Sequence, residues 1–170
     1  ALADLFLRRF AEENGRQAEA FIARPDSKPF FLYLNYTVPH AELRVPDDSL
    51  APQTGRFPET PFANEKADAR PTGATIEGAS LGYRSQPAPR AAFVAMITRM
   101  DADIGRLFER LRELGIDDNT IVLFTSDNGP HREGGGDPAF FNSAGGLRGF
   151  KRSLHEGGIR VPLIVRWPGK

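Results

Sequence analysis

The chain has 170 residues, with 22 basic and 22 acidic side chains and a formal net charge of zero. That balance gives no field to recruit nucleic acid or an anionic membrane surface, and no apolar run reaches the roughly 18 residues of a membrane span. Apolar residues make up 40% and cysteine is absent, so a packed core is within reach while disulfides, thiolate metal sites and a cysteine nucleophile are excluded here. The start, Ala1-Leu-Ala-Asp4, lacks the basic-then-apolar pattern of a secretory signal. With no initiator Met and an end at Trp167-Pro-Gly-Lys170, the chain reads as an internal fragment.

Leu2, Leu5, Phe6, Phe10, Ala18, Phe21 and Ile22 recur at helical spacing, which predicts helix over residues 2–24, broken at Asn14-Gly15 with Asn14 as a cap. Pro25 to Pro29 reads as a turn. Phe30-Phe-Leu-Tyr-Leu-Asn-Tyr36 is a continuous apolar run, suited to a strand covered on both faces, with Pro39-His40 at its tip. Residues 41–89 hold no period, so they are expected to form a long irregular excursion that lines or covers a site.

From Arg90 to Leu114, Phe93, Met96, Ile97, Met100, Ile104, Leu107, Phe108, Leu111 and Leu114 make one apolar stripe, and Gly115 suits the left-handed position after the helix. Strands are predicted at 120–126 and 161–166. Helix, strand, helix, strand, loop, strand predicts an α/β fold with a mostly parallel sheet flanked by helices.

The chemistry concentrates where the strand at 120–126 ends in Asp127, Asn128 and Gly129. Ligands of open α/β sheets bind beyond the carboxyl ends of strands, and a carboxylate beside a carboxamide offers hard oxygens of the kind Ca²⁺ or Mg²⁺ takes. Asp-Asn-Gly is equally an ordinary turn. Downstream, His131-Arg-Glu-Gly-Gly-Gly-Asp137, Gly145-Gly-Leu-Arg-Gly-Phe-Lys151 and His155-Glu-Gly-Gly-Ile-Arg-Val-Pro162 are too glycine-rich for packed elements and are punctuated by cations. A lysine and a histidine near a divalent cation suit a sulfate or phosphate group, whose oxygens they neutralise as charge develops. Taken singly, Lys151 is also an ordinary surface lysine and His40 an ordinary loop histidine. No phosphate-loop motif is present, and the histidines are too far apart for a helical zinc motif.

Four segments, in this order and spacing, resemble the sulfatases of the alkaline-phosphatase-like superfamily. They are Pro29 to Tyr36 with Pro39-His40; Met96-Ile-x-x-Met-Asp-x-x-Ile-Gly-Arg106; Asp118 to Gly129; and Leu147-Arg-Gly-x-Lys151 with Glu156 to Pro162 and Trp167-Pro-Gly169. The resemblance covers most of the chain outside 41–89 and implies one partial catalytic domain over residues 1–170.

It further implies a sulfuric ester hydrolase acting on an aryl or carbohydrate sulfate, with Ca²⁺ preferred over Mg²⁺. Asp127 and Asn128 match metal ligands, and Lys151 matches the lysine that contacts the sulfate and its bridging oxygen. His40 matches a histidine that hydrogen-bonds the sulfate. His131 and Arg132 are placed facing the substrate pocket, without a fixed family role. The family's nucleophile is a formylglycine made from a C/S-x-P-S/A-R signature, expected upstream with the other metal ligands. Ser85-Gln-Pro-Ala-Pro-Arg90 is a near match with one proline too many, and is read as a linker. His155 departs from the tyrosine common at that place. Export from the cytoplasm is an expectation from the family alone. The rival readings are a phosphodiester or phosphonate monoester hydrolase of the same superfamily, and a non-catalytic sulfatase-like binding module.

Overall fold

A computed structural model describes residues 13–24, 28–69 and 82–170. The helix expected over 2–12, part of the turn at 25–29 and residues 70–81 of the excursion lie outside them. The chain divides into two compact units, residues 1–110 with 133–135 and residues 111–132 with 136–170.

In the first unit, helix α1 covers residues 13–22 and passes through Asn14 and Gly15 without the expected break. The Asn14 amide donates to the Asn35 carbonyl at 3.2 Å, and Gly15 is buried against Asp103 and Arg106. Tertiary contact therefore outweighs the poor helix propensity of the pair. The expected strand at 30–36 is absent: exposure alternates along it, and Phe31 is 87% exposed instead of covered. A strand needs a neighbouring backbone, and this unit's described residues supply only the bridge between Phe62 and Gln86.

The excursion carries its own short elements. Helix α2 is Asp47–Leu50, a 3₁₀ turn follows at Ala51–Gln53, and helix α3 is Glu65–Asp68, capped by the Asn64 side chain accepting from the Ala67 N–H. It also supplies core: Leu43, 1% exposed, packs with Ala92 and Met96, with Val38, Val45, Leu50 and Phe93 around them. Truncating Leu43 to alanine costs about 2–5 kcal/mol at such a position. The segment read as a linker is anchored too, since the buried Gln86 side chain donates to the Leu43 carbonyl and Pro89 opens the next helix.

That helix, α4, is Pro89–Glu113, within a residue of expectation. Its buried face is rotated from the predicted stripe toward Ala91, Ala92, Ala95 and Met96, while Ile97 is 37% exposed. Small side chains let the excursion's Leu43 approach closely, so packing follows the alanines. Beyond α4, Gly115 sits at φ 67°, and the Ile116 N–H reaches the Leu111 carbonyl while that of Gly115 reaches Arg112, a Schellman termination.

The second unit holds strands β1, Val122–Thr125, and β2, Leu163–Arg166. They pair antiparallel, with Val122 opposite Arg166 and Thr125 opposite Leu163, not in the parallel sense expected. A parallel return needs a crossover of about a dozen residues, usually a helix. Within 126–162 this unit has only the one-turn helix α5, Glu156–Ile159, so the chain re-enters the sheet at the end where it left. The α/β class stands, with a two-stranded sheet among the described residues. Arg166 clamps Asp117 with bonds of 2.7 and 2.8 Å, and this guanidinium holds the Asp117 carboxyl below the usual carboxylate range.

Candidate active site

Asp127 and Asn128 stand two and three residues beyond the carboxyl end of β1. The turn is shaped by backbone bonds: the Thr125 hydroxyl donates to the Pro162 carbonyl at 2.9 Å, and that of Ser126 to the Asn128 carbonyl at 2.9 Å. Among the described residues, no hydrogen bond or ion pair engages the Asp127 carboxylate or the Asn128 carboxamide. Their oxygens remain available to a ligand.

What holds this turn is an interlock of glycine backbones. The Gly129 N–H donates to the Gly158 carbonyl at 2.9 Å, and the Gly157 N–H to the Arg148 carbonyl at 2.8 Å. A Cβ on Gly129 would lie 2.0 Å from the Gly157 oxygen, one on Gly157 2.2 Å from the Gly149 oxygen, and one on Gly158 2.2 Å from the Ser153 oxygen. No side chain fits between backbones this close. The Lys151 N–H in turn donates to the Pro130 carbonyl at 2.9 Å. Main-chain bonds thus tie the strand-end turn to the lysine loop and leave the Asp127, Asn128 and Lys151 side chains out of the framework.

His131, next to Pro130, lies against Gly136, where a Cβ would come within 3.0 Å of the ring atoms Cε1 and Nδ1. Arg132 stacks on Phe150, its guanidinium carbon 3.8 Å from the ring centroid. That contact was not visible in the sequence. The second unit therefore brings Asp127, Asn128, His131 and Lys151 into one loop system.

His40 belongs to the first unit. Its Nδ1 donates to the Ala41 carbonyl, which directs Nε2 toward other partners. The His40 ring meets Tyr83 edge-on, with centroids 6.2 Å apart, and the Tyr83 hydroxyl donates to Glu133 at 3.1 Å. Gly134, at φ 59°, makes room there, since a Cβ would sit 3.2 Å from both Ala41 and Tyr83.

Comparisons with known proteins agree with this assembly of motifs. The family profile described as Sulfatase matches residues 8–170. The chain is 32% identical to an N-acetylgalactosamine-6-O-sulfatase of Bacteroides thetaiotaomicron, over 91% of this chain and 24% of that protein. It is also 32% identical to the steryl-sulfatase of Mus musculus, over 95% of this chain and 20% of the relative. A solved structure described as Ps i-CgsB in complex with k-i-k-neocarrahexaose superposes with a TM-score of 0.62 at 28% identity, covering 94% of this chain and 28% of the other. The chain belongs to the sulfatase family, and it spans about a quarter or less of the length of these curated relatives.

Proposed function

We propose that the protein carrying this chain hydrolyses a sulfate ester of an aromatic or carbohydrate substrate and releases inorganic sulfate. The observation that supports it most is the pair of unengaged oxygen donors at the end of β1, tied by backbone to the loop that carries Lys151. Sulfatase membership and relatives named for their action on sulfates support the same reading.

A metal site fits the donors present. One carboxylate and one carboxamide are hard ligands suited to Ca²⁺, with Mg²⁺ less favoured because it tolerates fewer departures from octahedral geometry. Among the described residues no group of three or more acidic, histidine or cysteine side chains converges, so Asp127 and Asn128 amount to part of a coordination shell. Ca²⁺ held there would neutralise negative charge on the sulfate oxygens. The nucleophile expected for the family is a hydrated formylglycine, contributed outside these residues.

The chain's own residues then have separable tasks. The Lys151 ammonium contacts the bridging ester oxygen and stabilises the charge it acquires as the S–O bond breaks. His40, with Nδ1–H donating to the Ala41 carbonyl, bonds a sulfate oxygen through Nε2–H, which requires a ring protonated on both nitrogens, and His131 lines the substrate side. Residues 1–170 belong to one catalytic domain in this reading, with 41–89 turned toward substrate and the protein exported.

The test compares full-length protein with its Asp127→Ala and Lys151→Ala variants. Both are expected to lose about 10²–10³-fold in 4-nitrophenyl sulfate turnover, and only Asp127→Ala is expected to lose bound calcium. Retention of both calcium and turnover by Asp127→Ala would sink the assignment. Faster wild-type turnover of bis(4-nitrophenyl) phosphate than of the sulfate would transfer it to the phosphodiester hydrolases.

A further inference from the structure

The stack of Arg132 on Phe150 has no part in the chemistry above. Lys151 follows Phe150 directly, and the Lys151 N–H is bonded to Pro130, two residues before Arg132. The guanidinium is therefore fixed on the residue beside the lysine that contacts sulfate, and its residue stays exposed. A guanidinium held over a ring still presents N–H groups that match a carboxylate or a sulfate in bidentate fashion. Among the described residues no ion pair engages Arg132.

The charge composition of this segment points the same way. Between Pro130 and Pro162 the chain carries Arg132, Arg148, Lys151, Arg152 and Arg160 against Glu133, Asp137 and Glu156. Four of those charges have other attachments: Arg160 and Glu156 face each other at 3.7 Å, Asp137 accepts from the Phe140 N–H, and Glu133 takes the Tyr83 hydroxyl bond. One sulfate ester carries a single negative charge and does not require a fixed guanidinium beside the Lys151 ammonium.

We propose that Arg132, held on the Phe150 ring, is a second anion contact, and that the substrate carries another anionic group beside the ester that is cleaved. The substrate class is then a polyanionic saccharide, sulfated at more than one position or bearing a carboxylate. This rests on the sulfatase reading and narrows it.

The experiment measures competition against 4-nitrophenyl sulfate turnover in the full-length protein, using inorganic sulfate and a dextran sulfate oligosaccharide as inhibitors. The wild type is expected to prefer the oligosaccharide. Arg132→Gln, which removes the charge and keeps a polar side chain, is expected to lower that preference about tenfold, the scale of one charge-assisted hydrogen bond. Arg132→Lys should restore part of it. The preference of the wild type should also weaken with added salt more steeply than that of Arg132→Gln. An unchanged preference in Arg132→Gln, or equal weakening of both inhibitors together with a lowered melting temperature, would show that the stack only packs the loop. A wild type that turned over no sulfate ester would overturn the sulfatase reading and this inference with it.

Discussion

The loop system after β1 and the surroundings of His40 hold candidate site residues by opposite means. After β1, backbone meets backbone through Gly129, Gly149, Gly157 and Gly158, and the side chains of Asp127, Asn128 and Lys151 contribute nothing to the framework. Around His40, side chains make the framework: the ring lies on Tyr83, Tyr83 bonds Glu133, and Leu43 nearby in sequence is core. Where ligands are to be bound by several side chains at once, glycine backbones fix the geometry and keep those side chains available. Where one side chain must be oriented, its neighbours do it.

The sharpest way to break this contrast is to add one methyl group to the interlock. Gly158→Ala places a Cβ 2.2 Å from the Ser153 carbonyl and 2.7 Å from that of Phe150, both main-chain atoms that cannot turn aside. We expect a loss of about 3 kcal/mol in stability, at the upper end for overpacking, and turnover lowered along with calcium content. Thermal unfolding and metal analysis check it. Wild-type values for both would mean the interlock relaxes easily.

An intermediate effect is expected at Asp117, whose carboxyl is depressed by the Arg166 guanidinium. A depressed acid adds stability above its unfolded pKa, about 4, and loses that contribution as pH falls through the folded value. Asp117→Asn should therefore lower stability at neutral pH and show a shallower decline below about pH 4. Parallel acid-unfolding curves for the two proteins would contradict the assignment.

The smallest effect, with the opposite sign, is expected where glycine has no structural necessity. Gly15 lies inside α1, and a Cβ there would meet Asp103 and Arg106 atoms only at 3.7–3.9 Å, ordinary contact distance. Gly15→Ala should stabilise by about 0.5–1 kcal/mol through helix propensity. A melting temperature below wild type would show that the contact with Asp103 and Arg106 does not tolerate a methyl group.

The sequence by itself determined the elements whose cause is local. The end of α4 just before Gly115 and the existence of β1 and β2 follow from periodicity and turn chemistry, while the grouping of Asp127, Asn128 and Lys151 came from the resemblance to sulfatases. Only tertiary structure decided what depends on neighbours. Asn14-Gly15 stays helical because Asn35 and Asp103 lie against it, and 30–36 forms no strand because a ladder needs a partner backbone. The return of β2 is antiparallel because no crossover helix separates it from β1. Glycine density pointed to a candidate site after β1, but that Gly129 meets Gly157 and Gly158, and that Arg132 lies over Phe150, are contacts between residues distant in sequence that no local pattern encodes.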